Sequence, residues 1–127
     1  MEPRRFEGAP RLRATASGGE LEVVVAGSPR LRFLGLMRLD ADQIRPLLIP
    51  GCRSLHTFWM RTPIDVVWLE LGDREATVLA KREALAPRRT ARARLGASAL
   101  ELASGTAAAL GLGPGSKLTL DPVQASE

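Results

Sequence analysis

The sequence predicts an α+β fold that is mostly β, in which short helices accompany an antiparallel or mixed β-sheet or a barrel-like core in one compact domain. The chain has 127 residues, a length at which a single hydrophobic core is sufficient. Short runs of alternating or β-branched apolar residues recur along the chain, and Gly and Pro interrupt them. This pattern is typical of strands joined by turns.

The beginning of the chain is predicted to be a flexible arm over residues 1–19, because this segment lacks apolar periodicity and is rich in Pro, Arg and Ser. The domain itself is predicted to cover residues 20–121, followed by a C-terminal tail over residues 122–127. Its first strand begins at Glu20 and ends at Gly27, since apolar and β-branched residues alternate along this segment.

A short helix is predicted directly after the first strand. Ser28 is a favourable N-cap residue, and Pro29 suits the first helical position. Leu31 and Leu34 then lie on one side of the helix. Gly35 lowers the helix propensity by about 1 kcal/mol relative to Ala, so the helix is expected to be short.

The remaining elements are apolar runs bounded by turn residues. A short run at residues 47–49 ends at a Pro-Gly turn. Further strands are predicted over residues 54–60, 64–71, 76–81, 98–102 and 117–120. An Ala-rich helix is predicted over residues 103–110, capped by Ser104 and ended by Gly111. Residues 85–95 are rich in Pro and Arg and predict a loop.

Two of these strands, residues 54–60 and 64–71, are separated by so few residues that they most simply form an antiparallel hairpin. In that register Met60 faces Asp65. His56 then lies four residues of strand, about 13 Å, from Asp65. This distance excludes a direct hydrogen bond between the two side chains.

The composition excludes several classes of protein. The chain is 45% apolar and 25% charged, as in globular domains rather than disordered or fibrous chains. Cys52 is the only cysteine and His56 the only histidine. The chain therefore cannot form an internal disulfide or a four-ligand zinc site by itself, and no metal or cofactor is predicted.

The charge and hydropathy patterns give expectations about location and partners. The net charge is +4, which by itself indicates no specific partner. No apolar run has the character of a signal peptide or the length of a membrane span. We therefore expect a cytoplasmic protein without membrane contact.

Three side chains that could take part in catalysis or binding lie in or just before the predicted strand 54–60. In an extended chain Cys52, Ser54 and His56 point to the same side. Cys52 and His56 would lie about 13 Å apart, too far for a thiol–imidazole pair, whereas Ser54 and His56 would lie about 6.6 Å apart and could share a ligand. A nucleophile also needs an oxyanion hole, and the sequence has no Gly-x-Ser-x-Gly elbow. Structural hydrogen bonding is therefore favoured over catalysis.

Asp65 is the most unusual residue of the predicted strands, because it shares strand parity with Val67 and Leu69 on the core-facing side. An unpaired buried carboxylate is costly. One interpretation is that Asp65 accepts hydrogen bonds from the backbone or the hydroxyl of the Thr62-Pro63 turn, and the other is that it accepts from a ligand or from Arg61. A metal site made of Asp65, His56 and Cys52 would be incomplete and mixed in ligand softness.

Two larger groups of residues could form binding surfaces, although a structural role is favoured for each. The first group consists of bulky apolar side chains that could line a cleft but are better explained as core, namely Met37, Phe58, Trp59, Met60 and Trp68. The second group consists of loop arginines that could bind phosphate or nucleic acid, namely Arg88, Arg89, Arg92 and Arg94. No aromatic residues interleave with these arginines for base stacking, which favours a solvated loop.

The central segment from Leu48 to Val67 reads LIPGCRSLHTFWMRTPIDVV. It is preceded by Gly35-Leu36-Met37 and followed by Leu100-Glu101-Leu102 with Gly105. These segments, in this order, resemble the signature of the DUF192 family, also called UPF0127. The resemblance implies a compact β-rich fold with short helices over about residues 20–120. It implies no established activity.

The function predicted from these observations is the binding of a small polar or anionic ligand, without an assigned catalytic residue. The candidate ligand-binding residues are Cys52, Ser54, His56, Arg61 and Asp65. Two alternatives remain open. One is a small hydrolase-like enzyme that uses Cys52 or Ser54 with His56, and the other is a module that binds a protein or nucleic-acid partner through the Arg-rich loop 88–94. A nucleic-acid partner is not favoured, and the sequence does not predict an oligomeric state.

Overall fold

A computed structural model of the protein describes residues 2–123. Within this range the strands are β1 (Arg11–Ala16), β2 (Gly19–Val25), β3 (Leu47–Ile49), β4 (Ser54–His56), β5 (Ile64–Leu71), β6 (Glu75–Leu85), β7 (Thr90–Arg92), β8 (Ser98–Ala103) and β9 (Lys117–Pro122). The helices are α1 (Pro29–Leu34) and α2 (Thr106–Ala109), with single 3-10 turns at Arg4–Phe6 and Ala41–Gln43. The predicted tail from residue 124 onward lies outside the described residues.

Seven of the strands form a closed barrel in the order β1-β2-β3-β8-β5-β6-β9, which closes where β9 pairs with β1. Only β2 and β3 pair in parallel among the described barrel strands, because α1 and the segment after it provide the crossover that parallel pairing needs. The two remaining strands, β4 and β7, form a separate antiparallel sheet. The predicted mostly β fold with short helices is therefore confirmed, in its barrel-like form.

Two apolar clusters lie on opposite sides of the barrel wall. The inner cluster receives side chains from all seven barrel strands and from α2. The outer cluster packs beneath α1 and the β4–β7 sheet. The strand β5 contributes to both, with Val67 and Leu69 inside and Val66 and Trp68 outside. Burial on both faces explains why its sequence is an almost continuous apolar run.

The helix α1 confirms the prediction made from its capping residues. The Ser28 hydroxyl accepts a hydrogen bond from the Leu31 amide at 3.1 Å, and Pro29 occupies the first helical position. Gly35 ends the helix with a φ of 48°, a conformation that glycine adopts readily. No helix of residues 2–123 combines the length and the apolar character needed to cross a membrane.

The prediction of a flexible arm over residues 1–19 is wrong for residues 11–16. These residues form β1, which pairs with β2 on one side and β9 on the other, and Ala14 belongs to the inner cluster. The sequence of β1 alternates arginine with small or apolar residues. Its apolar content is too low to predict a strand without knowledge of the two neighbours.

The predicted hairpin between residues 54–60 and 64–71 is also wrong. The strand β4 ends at His56 and pairs with β7, whereas β5 pairs with β6 and β8. Residues 57–60 turn instead of continuing the strand. The predicted loop 85–95 accordingly contains the strand β7. In α2 the N-cap is Gly105 rather than the predicted Ser104.

Candidate ligand-binding cleft

A cleft of about 180 Å³ opens between the α1 segment and the start of β4. The loop after α1 forms one wall, β4 and its flanking residues form the other, and β8 contributes one side chain. The apolar part of the lining includes Leu36, Met37, Ile49, Leu55 and Met60. The polar groups of the cleft belong to Cys52, Ser54, His56 and Glu101, with Arg32 at its margin.

Glu101 is the most unusual polar group of the cleft. Its residue is only 6% exposed, and no described residue forms a hydrogen bond or ion pair with its carboxyl group. Every side-chain polar atom sealed from solvent among the described residues has a partner, so the Glu101 oxygens must reach the open space of the cleft. Burial raises the pKa of Glu101 from 4.5 to about 7.

Gly35 keeps the space beside Glu101 open. A Cβ atom at Gly35 would lie 3.7 Å from Oε1 of Glu101, in van der Waals contact with the carboxyl group. Glu101 was not among the site residues predicted from the sequence. The available signal was a lone charged residue within the apolar strand β8, whose burial pattern is almost uniformly buried.

Three of the five predicted site residues meet at this cleft, since Cys52, Ser54 and His56 all line it. Leu55, which alternates with Ser54 and His56 along β4, lines the cleft as well. Among the described residues, however, neither Cys52 nor Ser54 hydrogen-bonds to the His56 ring. The Cys52 Sγ atom instead lies 3.3 Å from the backbone oxygen of Ser54, so the cleft contains no preformed nucleophile–base pair.

The thiol of Cys52 is expected to react slowly with iodoacetamide near pH 7. Burial raises its pKa, and the negative charge of Glu101 acts in the same direction, so little thiolate is present. The labelling rate, followed by mass spectrometry, can be compared with that of a Cys52→Ser, Ser104→Cys variant, which carries its only thiol at an exposed position. Faster labelling of Cys52 than of this control would contradict the expectation and favour the enzyme hypothesis.

Asp65 does not line the cleft, and its side chain is fully buried. Its Oδ1 atom accepts a hydrogen bond from the Ala84 amide at 2.8 Å, and Oδ2 accepts from the amides of Gly105 and Ala107, each at 3.0 Å. The expectation of backbone donors was right in kind, but the donors come from β6 and α2 rather than from the Thr62-Pro63 turn. Asp65 forms no hydrogen bond with His56, although the hairpin register that led to this expectation is wrong.

Arg61 also lies outside the cleft. Its guanidinium group pairs with Asp40 at 2.9 Å, and both side chains are more than half exposed. Together with Arg38, Arg88 and three apolar residues it lines a second, larger depression of about 700 Å³. Cys52 and His56 line the cleft, whereas Asp65 does not, so the three residues weighed above as an incomplete metal site lie apart. Residues 2–123 contain no cluster of three metal-ligating side chains.

The exposed aromatic residues of the second depression correct a further expectation. Trp68 is buried as predicted, at 1% exposure, but Phe58 is 44% and Trp59 63% exposed. The turn at residues 57–60 brings both rings to the surface beside Arg88. The basic loop, which has no aromatic neighbours in sequence, therefore has them in space.

Comparison with protein families identifies the chain. Residues 12–120 match the model of DUF192, a family described as "Uncharacterized ACR". The chain belongs to the DUF192 family. The match begins within β1, a strand that lies outside the residues 20–120 of the predicted resemblance, and it ends within β9.

Two solved structures are similar to this DUF192 domain. One is a "putative transcription regulator" from Sinorhizobium meliloti 1021, 26% identical, with a TM-score of 0.67 over 91% of this chain and 94% of that chain. The other is a protein of unknown function from Novosphingobium aromaticivorans DSM 12444, 20% identical, with a TM-score of 0.64 over 93% of this chain and 97% of that chain. A comparison with curated proteins gives no significant match.

Proposed function

We propose that this DUF192 domain binds a small polar ligand in the cleft and that the ligand donates a hydrogen bond to Glu101. The carboxyl group of Glu101 supports the proposal, because it is buried, lines the cleft and has no hydrogen-bond partner among the described residues. Burying such a group without a partner costs free energy. A ligand that supplies a donor offsets that cost.

The cleft also limits the size of the ligand. Its volume of about 180 Å³ is below the roughly 300–1,000 Å³ of sites for drug-sized molecules. The apolar walls accommodate a short hydrocarbon portion, and Ser54 and His56 supply further polar contacts at the same opening. A compact molecule with one amine, amide or hydroxyl group fits these features.

Glu101 favours a polar ligand over the anionic one that the sequence left open. An anion would have to lie beside a buried carboxyl group, and ionised Glu101 would repel it. Arg32, the basic residue at the margin of the cleft, directs a guanidinium nitrogen to the backbone oxygen of Pro50 at 2.6 Å. Part of its hydrogen-bonding capacity is therefore already used.

Three small probes of similar size can test the proposal: ethanolamine, acetamide and acetate. We expect ethanolamine and acetamide to shift the backbone amide signals of Gly35 and Ser54 saturably in nuclear magnetic resonance spectra, whereas acetate does not. The affinity for ethanolamine should fall about tenfold for each pH unit below about 7, because its ammonium group requires ionised Glu101. Stronger binding of acetate than of the two donors would contradict the proposal.

A matched pair of variants assigns the binding to Glu101. Glu101→Gln keeps the size of the side chain and removes its charge, and it is expected to weaken ethanolamine binding at pH 8 at least tenfold. Glu7→Gln changes an exposed glutamate outside the cleft and should leave the affinity unchanged. Equal affinities of the two variants would remove Glu101 from the site.

A further inference from the structure

The second depression, hereafter the Trp59 groove, is lined by Arg38, Phe58, Trp59, Met60, Arg61 and Arg88. Its volume of about 700 Å³ lies within the range of sites for metabolite-sized ligands. It is distinct from the cleft of the proposed function, with which it shares Met60. The Phe58 ring contacts the His56 ring of that cleft at a centroid distance of 5.2 Å.

The backbone around this groove is held in an unusual conformation. Four described residues other than glycine have a positive φ, and three of them line the groove: Arg38 at 62°, Trp59 at 70° and Arg88 at 64°. Such conformations are disfavoured for bulky L-residues and persist only where the surrounding structure imposes them. They also cluster at ligand-binding and active sites.

Hydrogen bonds to buried Thr57 and between the two sides of the groove impose this conformation. The Thr57 hydroxyl donates to the backbone oxygen of Ala86 at 2.6 Å and accepts from the Arg89 amide at 2.8 Å. The Arg88 amide donates to the backbone oxygen of Thr57 at 3.2 Å, and the Arg38 amide to that of Trp59 at 2.8 Å. The backbone of the aromatic turn and the backbone segments that carry Arg38 and Arg88 are therefore held relative to one another before any ligand arrives.

The charges of the groove point to an anion. Arg38 and Arg88 form no ion pair with a described residue, whereas Arg61 is paired with Asp40. The guanidinium carbon of Arg38 lies 5.6 Å from the centroid of the Trp59 ring, which places a cation against an exposed aromatic surface. Arginine binds phosphate and carboxylate groups through its planar set of donors, and an indole ring offers a stacking surface.

We propose that the Trp59 groove binds a small anion that carries a planar aromatic ring, of the size of a mononucleotide. The ring stacks against Trp59 and Phe58, and the anionic group binds Arg38 and Arg88. A single small molecule is favoured over a nucleic-acid strand because the two exposed rings lie in one depression rather than along an extended path.

The two tryptophans of the chain make the test direct, because Trp59 is exposed and Trp68 is buried. Adenosine monophosphate at low salt is expected to shift the indole N–H signal of Trp59 saturably and to leave that of Trp68 in place. Adenosine and inorganic phosphate should each bind at least tenfold more weakly, since each lacks one half of the recognised chemistry. Equal binding of adenosine and adenosine monophosphate would overturn the proposal, and so would an unmoved Trp59 signal.

Variants locate the binding site. Arg38→Gln and Arg88→Gln should each weaken binding of adenosine monophosphate about tenfold, whereas Arg94→Gln, which removes an exposed arginine paired with Glu70, should have no effect. Trp59→Gly should abolish binding without lowering the melting temperature, because glycine adopts the positive φ without strain. Wild-type binding in the double variant of Arg38 and Arg88 would overturn the proposal.

Two further outcomes would replace the proposed ligand by another occupant. A thymidine decamer that binds at least a hundredfold more tightly than thymidine monophosphate would indicate a nucleic-acid site. A concentration-dependent dimer of the wild type, absent from Trp59→Gly in analytical ultracentrifugation, would indicate that a second copy of the chain covers the groove. We expect the thymidine decamer and thymidine monophosphate to bind with comparable affinities. We also expect the wild type and Trp59→Gly to be monomers.

Discussion

Replacing Asp65 by Ala is expected to lower the free energy of unfolding by about 3 kcal/mol or more, because three backbone amides lose their acceptor and each unpaired buried donor costs roughly 1–3 kcal/mol. The register of β5 and β6 shifts between Ile64 and Val66. This β-bulge places the Ala84 amide opposite Asp65 rather than in the regular ladder. One carboxyl group therefore accepts hydrogen bonds from the backbone amides of both the irregular part of β6 and the start of α2.

The effect on α2 follows from its sequence. Its N-cap residue, Gly105, has no side chain that can accept from the first helical amides. Asp65 supplies that acceptor from β5, although β5 and α2 are distant in sequence. A four-residue helix has little stability of its own, so α2 is expected to lose its position when Asp65 is removed.

Urea unfolding followed by circular dichroism checks this prediction. Asp65→Asn provides a milder change, because its amide oxygen can still accept at one of the two positions, whereas its amide nitrogen, a donor, faces a backbone donor at the other. It should cost less than Asp65→Ala and fold where the alanine variant does not. Asp42→Ala, at an exposed position, serves as the control and should change stability by less than about 0.5 kcal/mol. Equal stabilities of the Asp42 and Asp65 variants would contradict this account.

The elements that the sequence predicted well depend on local chemistry. The cap at Ser28, the first-turn Pro29 and the terminating Gly35 act within one helix. The strand β5 was predicted with both of its ends, because its apolar run is long and bounded by turns. Cys52, Ser54 and His56 likewise line one cleft, and they come from a single short segment of the chain.

The features that the sequence did not predict depend on contacts between distant segments. The strand β1 is ordered by two neighbours, one of which is the last strand of the chain. The partner of β4 is β7, a three-residue strand from a segment rich in arginine. Short separation in sequence favoured the β4–β5 hairpin, but β5 buries both faces by pairing with β6 and β8. The stabilisation that a strand gains from pairing with a distant strand cannot be predicted from the sequence of either strand alone.

The candidate site was predicted in part for the same reason. Residues of one segment were placed together correctly, whereas Glu101 reaches the cleft only because β8 pairs with β3 and β5. Asp65 was recognised as unusual from its strand parity, but its donors lie 19, 40 and 42 residues further along the chain. A charged residue within an apolar strand thus indicated an unusual environment. The partners of that residue could not be predicted from local spacing.

Glu101→Gln is expected to make the domain more stable at pH 8 by about 3 kcal/mol and to change its stability little at pH 4. Burial raises the pKa of Glu101 from 4.5 to about 7 in the folded protein, and one pKa unit corresponds to about 1.4 kcal/mol. Below pH 4.5 the group is protonated in both the folded and the unfolded state. As the pH rises through 7, the unfolded state ionises first, so the wild type loses stability that the neutral glutamine keeps.

The measurement is the free energy of unfolding in urea at several pH values between 4 and 8 for the wild type, Glu101→Gln and Glu7→Gln. Other titrating groups contribute equally to the wild type and its variants, so the difference between the curves isolates Glu101. We expect the Glu101→Gln difference to grow between pH 4.5 and 7 and then level off, whereas the Glu7→Gln difference stays constant. A Glu101→Gln difference that does not change with pH would mean that the carboxyl group is not held in a costly environment. The same result would remove the reason for expecting a hydrogen-bond donor in the cleft.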